Sequence, residues 1–357
     1  MWCFGSRSGR LSAVDRQANR VALSESYLRR DEVSAGLPTY LIIESTSLCN
    51  LACVMCPYKS MNREHEHMAM DLYDRIISEA SGFVEFAWLH MFSEPLLNKN
   101  IYQMIDRAEE AGIRTGLSTN STPLNETAAR KLLDSKLSFL LLSLDGATKE
   151  VYEYIRAGAD FELVERNVQR FAQLRRSAGN DRLKVVLSII NMKPNEKEIE
   201  GFVERWRDQG FDCVVVKPFH FWAGQDAEIT VLGEAPWMAK FFDVPSRLAA
   251  GDACYEPWLG FAILADGTAV PCCNDFDGRQ MLGNLNSQSI GEIWNGNPMR
   301  TLRRMFRSSA GMEGTICEKC PFPCASSDEA RGGHGPFDVV RRQLDFYMDR
   351  SIGNARG

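Results

Sequence analysis

STSLCNLACVMCPYKS, residues 45–60, places Cys49, Cys53 and Cys56 within eight residues, directly after the apolar run from Tyr40 to Ile43. An apolar, partly β-branched run that opens into a polar stretch reads as a strand followed by its loop. Soft thiolates on such a loop select zinc, copper(I) or an iron–sulfur cluster. Zinc usually closes a tetrahedron with two cysteine pairs. Three thiols spaced C-x3-C-x2-C, with no fourth nearby, instead leave a metal site open. A 4Fe–4S cluster held by three thiolates keeps one iron free for an outside ligand, and that vacancy is the functional clue.

Beyond this loop, short apolar runs alternate with helical periodicity up to about Pro218. The expected strands are Tyr40 to Ser45, Val84 to Met91, Ile113 to Ser118, Phe139 to Leu144, Lys184 to Ile190 and Cys213 to Lys217. Helices are expected over Ile101 to Ala111, stopped by Gly112, over Glu126 to Leu133 with Asn125 as N-cap, and over Glu196 to Asp208, stopped by Gly210. Near-continuous apolar strands separated by helices predict a parallel sheet, and six βα units predict an open, partial barrel. Its working face is the carboxyl end of the strands. Polar groups stand there: Ser93 and Glu94 after the second strand, Ser118 to Asn120 after the third, Ser143 and Asp145 at the fourth, Asn191 and Lys217 at the last two.

The chain has 357 residues, more than one core readily fills, which predicts a large domain with an appendage. The expected divisions are a helical extension over 1–37, the barrel over 38–240, a cysteine-rich domain over 241–330 and a tail over 331–357. A net charge of −6 from 41 basic and 47 acidic residues, without a block of like charge, predicts no nucleic-acid partner. No stretch nears the roughly 18 apolar residues of a membrane span. The N-terminus has no secretory h-region, so the expected location is the cytoplasm, where eleven cysteines are metal ligands or reactive thiols rather than disulfides.

At these residues the chain resembles the radical S-adenosylmethionine (SAM) superfamily, whose loop reads C-x3-C-x-φ-C; Met55 occupies the φ position. The resemblance implies a partial (β/α)6 TIM-like barrel and a 4Fe–4S cluster on Cys49, Cys53 and Cys56, with SAM chelating the free iron. One-electron reduction then yields a 5′-deoxyadenosyl radical. Ser93-Glu94-Pro95 stands where the family has a Gly-Gly-Glu-type motif, with Ser93 in place of a glycine; Glu94 would hold the SAM ammonium. The stretch STNST, with Ser118 and Asn120, resembles the ribose-contacting segment. LSLDGATKEVYEYIRAG resembles the fourth-strand signature, which makes Ser143 and Arg156 candidates for the SAM carboxylate. The plain alternatives are a capping serine, an N-cap asparagine and a solvated arginine.

A second cysteine group follows. Cys254, Gly267 and Cys272 form C-x12-G-x4-C, and Cys317-x2-Cys320 comes later. Two separated pairs suit a structural zinc site as well as a cluster. ILADGTAVPCC, residues 263–273, reads as a hairpin turning at Asp266-Gly267. The whole, with MLGNLNSQSIGEIW at 281–294, resembles the SPASM or twitch extension of radical SAM enzymes. Only Cys324 follows the last pair, so the resemblance implies one auxiliary 4Fe–4S cluster on Cys254, Cys272, Cys317 and Cys320. That spacing is similar to a cyclitol-oxidising dehydrogenase of the superfamily. Cys213, Cys273 and Cys324 are left either as small buried hydrophobes or as hydrogen-atom donors.

The expected activity is hydrogen abstraction from a small hydroxylated substrate such as a sugar, cyclitol or aminoglycoside, leading to dehydrogenation or epimerisation. A reductase with flavodoxin, or a ferredoxin, would supply electrons. A peptide-modifying maturase is the alternative, disfavoured because 37 residues before the barrel are shorter than the recognition domain of many such relatives. A non-catalytic electron-transfer protein is a further alternative. Of the histidines, His65 and His67 sit in the cluster loop, His90 ends the second strand, and His220 lies beyond the sixth, where an imidazole could act as base.

Overall fold

The computed structural model describes residues 13–219, 232, 254–308, 311–318 and 320. Six strands run parallel in sequence order: β1 (Tyr40–Ile43), β2 (Phe86–Trp88), β3 (Arg114–Thr119), β4 (Phe139–Ser143), β5 (Lys184–Asn191) and β6 (Cys213–Pro218). Leu140, Leu142, Val185 and Leu187 are fully buried, as expected where helices cover a parallel sheet. The first two strands are shorter than expected, β1 ending at Ile43 and β2 at Trp88. Leu89 instead donates its N–H to Gly116 O at 3.0 Å, and the chain leaves the sheet into the working face.

The helices are α1 (Ala13–Arg29), α2 (Met70–Ala80), α3 (Ile101–Glu110), α4 (Glu126–Asp134), α5 (Lys149–Ile155), α6 (Phe161–Ala178) and α7 (Ile199–Trp206). Asn125 caps α4 by accepting from Ala128 N at 3.0 Å. After α3 the chain turns at Gly112 with φ +81°, a left-handed conformation that costs glycine little.

The cysteine-rich segment does not stand apart from the barrel. Its first strand, β7 (Gly260–Ile263), pairs in parallel with β1, and β8 (Thr268–Val270) and β9 (Gly283–Asn284) follow antiparallel, giving the order β6-β5-β4-β3-β2-β1-β7-β8-β9. The hairpin turns at Asp266-Gly267, where Asp266 Oδ1 accepts from Thr268 N at 2.8 Å. At Gly260 the strands come so close that a Cβ would lie 1.9 Å from Tyr40 O.

Three further helices are α8 (Glu256–Leu259), α9 (Ile290–Trp294) and α10 (Asn297–Ser308): α8 packs on α1, α10 packs on α8 and α9, and α9 also meets α2. Arg303 of α10 is fully buried; it donates to Pro257 O at 2.8 Å and Glu32 O at 3.1 Å and stacks 4.4 Å from the Trp294 ring. Trp294 Nε1 donates to Gly36 O at 2.7 Å. The N-terminal extension is thereby tied to the C-terminal segment rather than to the barrel alone. Among the described residues no helix is long and apolar enough to cross a membrane.

Candidate radical site and auxiliary cysteine group

The loop after β1 owes its shape to α5. Ala52 N donates to Ala157 O and Val54 N to Ile155 O, both at 2.9 Å, and Leu51, Cys53 and Met55 pack with Ile155 and Met192 in a small separate core. Cys49 N donates to Tyr58 Oη at 3.0 Å, and the Tyr58 ring rests 4.9 Å from His65. His65 and His67 belong to this scaffold: Ser47 O lies 3.0 Å from His65 Nδ1, and His67 bridges to Thr46. Burial pushes the Cys56 thiol up to about 12 and raises Cys49 as well. A strongly cationic centre, as iron supplies, would favour the Cys49 and Cys56 thiolates against that burial.

Cys49, Cys53 and Cys56 open onto a cavity of about 390 Å³ at the carboxyl ends of the strands, and Met55, Ser93, Ser118, Asn120, Ser143, Arg156 and Cys273 line the same cavity. Ser93 Oγ is buried there with no hydrogen-bond partner among the described residues. Such an orphaned group on a cavity wall fits a polar ligand. Ser118 Oγ and Ser143 Oγ lie 3.2 Å apart, and Asn120 Nδ2 donates to Asn50 Oδ1 at 3.0 Å, linking β3 to the cysteine loop. Arg156 Nε donates to Asp145 Oδ2 at 2.7 Å while its Nη1 lies 3.9 Å from Cys53 Sγ. Arg156 is thus a buried ion pair partner that also reaches a cluster thiol, not a solvated arginine.

Glu94 is placed differently from the cavity-lining residues. It is fully buried behind the wall, accepting from Asn120 N at 2.7 Å, Thr119 Oγ1 at 2.8 Å and Leu96 N at 3.0 Å. Burial pushes its carboxyl up to about 7 despite those three donors. In this conformation Glu94 clamps the β2 and β3 loops together, and its neighbour Ser93 faces the cavity.

Two further cavity residues have roles that the sequence alone leaves open. His90 accepts from Ser118 N at its Nδ1, 3.1 Å away, so neutral His90 carries its proton on Nε2. Burial, with Lys217 adding to it, pushes His90 down to about 3. Lys217, at the carboxyl end of β6, is pushed down to about 8 by burial, against the pull of Asp145. Cys213, at the opposite end of β6, is a buried core residue level with Val186.

The auxiliary cysteines gather at the other side of β1. Cys272 follows β8 and is pushed well above its usual range by burial, reinforced by Cys273, Cys320, Glu256 and Cys254 around it. Asn274 Nδ2 donates to Cys320 Sγ at 3.1 Å, and Cys320 N to Cys317 O at 3.4 Å. Among the described residues no three His, Cys, Asp or Glu side chains close around a single metal ion. Cys324 and His220 lie outside the described residues. The loop over 272–278 is clipped to the first cysteine loop: Asn62 N donates to Asp277 Oδ1 at 2.8 Å and Arg63 Nε to Phe276 O at 2.7 Å. Arg63 also pairs with the buried Glu44, which accepts from Ala265 N at 3.0 Å.

A partial barrel with an open three-thiol loop and a hairpin-borne cysteine group defines a class of iron–sulfur radical proteins. Residues 43–205 match the radical SAM superfamily, and residues 254–321 match SPASM, an iron–sulfur cluster-binding domain. The chain belongs to the radical SAM superfamily and carries a C-terminal SPASM domain; its cofactors are SAM, a 4Fe–4S cluster and auxiliary iron–sulfur.

Among curated proteins it is 24% identical over 183 residues to the tungsten-containing aldehyde ferredoxin oxidoreductase cofactor-modifying protein of Pyrococcus furiosus, a match spanning 50% of each chain. It is 25% identical over 320 residues to the mycofactocin maturase MftC of Mycobacterium ulcerans, covering 83% of this chain and 82% of that protein. It is 20% identical over 292 residues to the SAM-dependent 2-deoxy-scyllo-inosamine dehydrogenase of Niallia circulans, covering 80% and 94%. Among solved structures, Streptococcus suis SuiB bound to precursor peptide SuiA superposes with TM-score 0.62 at 15% identity, covering 90% of this chain and 78% of that one. BtrN in complex with AdoMet and 2-DOIA gives TM-score 0.50 at 19% identity, covering 80% and 93%. These likenesses in structure show the fold.

Proposed function

We propose that the protein is a radical SAM oxidoreductase or epimerase that removes a hydrogen atom from a small hydroxylated substrate of the sugar, cyclitol or aminoglycoside class. The observation that carries this reading is the single cavity of about 390 Å³ shared by the three-thiol loop, hydroxyl-bearing strand ends and Lys217. When bound, the cluster and SAM supply a 5′-deoxyadenosyl radical able to attack an unactivated C–H bond. Cys49, Cys53 and Cys56 would hold the cluster, and Ser93, Ser118, Asn120, Ser143 and Arg156 would orient SAM beside Met55. Cys254, Cys272, Cys317 and Cys320 would hold one auxiliary 4Fe–4S cluster. His90, a neutral Nε2–H donor, suits a substrate oxygen. Lys217, with its pKa near operating pH, suits the hydroxyl proton. Electrons would come from a flavodoxin or ferredoxin.

The peptide reading is retained because MftC is a maturase similar to this chain over most of its length and SuiB, solved with a precursor peptide, shares the fold. The two are separated by anaerobic turnover of the reconstituted protein with SAM and dithionite, adding either 2-deoxy-scyllo-inosamine and related aminocyclitols or ribosomal precursor peptides. Deoxyadenosine formation stimulated by a cyclitol, with a new oxidised or inverted product, supports the proposal. Stimulation by peptide alone replaces it with the maturase reading.

A further inference from the structure

We propose that Cys273 is the hydrogen-atom donor to the substrate radical, so that the enzyme inverts a carbon centre without net oxidation of its substrate; this rests on the radical reading above. Among the described residues four thiols line the cavity, and three of them belong to the cluster loop; the fourth is Cys273. It enters from the loop after β8, a different element from the one that would carry the radical source, and so can approach the substrate along a different direction. Its position is fixed by the clips from Asn62 and Arg63 and by the Phe92–Phe276 edge contact, with ring centroids 5.7 Å apart. Cys213 cannot serve, because it lies at the amino end of β6, about 13 Å along the strand from Lys217.

The chemistry favours a thiol over every other cavity group. An S–H bond is weaker than a C–H bond, so hydrogen transfer to a carbon radical is downhill, whereas the O–H bonds of Ser118 and Ser143 and the N–H bonds of Lys217 are stronger. The balance is closed. A C–H bond breaks homolytically as deoxyadenosine forms, and a new C–H bond forms as the Cys273 S–H bond breaks. The resulting thiyl takes one electron and one proton to return to thiol. That electron comes from a low-potential one-electron donor of the ferredoxin class, in addition to the one consumed in cleaving SAM.

Two measurements test this without a known substrate. In the first, reconstituted holoenzyme is treated anaerobically with iodoacetamide, with and without SAM, and the alkylated cysteines are mapped by mass spectrometry. Cys273 should be modified slowly, as befits a thiol that burial keeps protonated, and SAM should abolish that modification, while Cys272 stays protected in both cases. In the second, uncoupled turnover with SAM and dithionite is run in D2O. The deoxyadenosine from the natural protein should carry one solvent deuterium, drawn from the exchanged thiol, and that deuterium should be lost in Cys273→Ala and Cys273→Ser. Deuterium per deoxyadenosine is compared, so a slower variant does not disturb the result. Protection of Cys273 together with Cys272, accompanied by iron loss in Cys273→Ala, would make it a cluster ligand and overturn the proposal. Equal deuterium in all three proteins, or none in the natural one, also overturns it while leaving the radical reading intact. Absence of deoxyadenosine from the natural protein would instead sink the radical reading itself.

Discussion

At the scale of single residues, half-buried His90 and fully buried Glu94 are titratable groups displaced in opposite senses. His90 is held neutral, its pKa falling from 6.5 to about 3. The unfolded chain therefore binds that proton more readily, and the stability contributed by neutral His90 is complete above about 6.5 and is lost as pH falls towards about 3. His90→Asn keeps an acceptor for the Ser118 N–H but cannot titrate. In urea unfolding of the apoprotein between pH 6 and 4, the variant should lose stability less steeply than the natural protein, by about 1.4 kcal/mol per pH unit. An identical slope in both would show that His90 takes up its proton in the folded state. Glu94 receives three donors behind the cavity wall. In Glu94→Gln one oxygen becomes an NH2 group facing a donor, so the variant should lose about 2 kcal/mol of stability and bind SAM more weakly. Urea midpoints and equilibrium SAM binding measure the two effects. Unchanged stability with weakened SAM binding would mean that the carboxylate contacts the ligand directly.

At the scale of elements, the pairing of β1 with β7 carries the cysteine-rich segment. Gly260 approaches Tyr40 O so closely that any side chain must part the strands. Gly260→Ala should cost about 3 kcal/mol and lower auxiliary iron more than the iron of the first cluster, read by urea midpoint and by iron content. Equal retention of both clusters would show that β7 is not what holds the second group in place. This pairing was not legible in the sequence, because it joins strands more than two hundred residues apart and leaves no periodicity of its own. The six barrel strands were legible because both their faces are buried, so each appears as a short apolar run. The cluster loop and the cavity serines could be read because they follow such runs at the carboxyl ends. Which side of the wall a residue faces could not be read: Glu94 and Ser93 are neighbours, yet the turn after β2 sends one inwards and the other to the cavity. Cys213 and Cys273 looked equivalent as unassigned thiols, and only their positions at opposite ends of the fold separate them.

At the scale of the whole molecule, the sheet runs unbroken from the barrel into the SPASM hairpin, and the loops at its carboxyl end are clipped together by Asn62 and Arg63. The two cysteine groups are therefore built on one framework but belong to different loops, which makes them separable by mutation. Two 4Fe–4S clusters give about eight irons per chain after anaerobic reconstitution. The triple substitution Cys49→Ala/Cys53→Ala/Cys56→Ala should lower this to about four and abolish deoxyadenosine formation under dithionite, and Cys254→Ala/Cys272→Ala should also leave about four but spare the first cluster. Iron and sulfide assays, read beside electron paramagnetic resonance of the reduced protein, distinguish the two losses. About four irons with one zinc in the natural protein would remove the auxiliary cluster. The radical chemistry of the first loop would remain, but the chain would lack an internal acceptor for substrate electrons. A redox-neutral inversion through Cys273 would then also need its restoring electron delivered directly by the external donor.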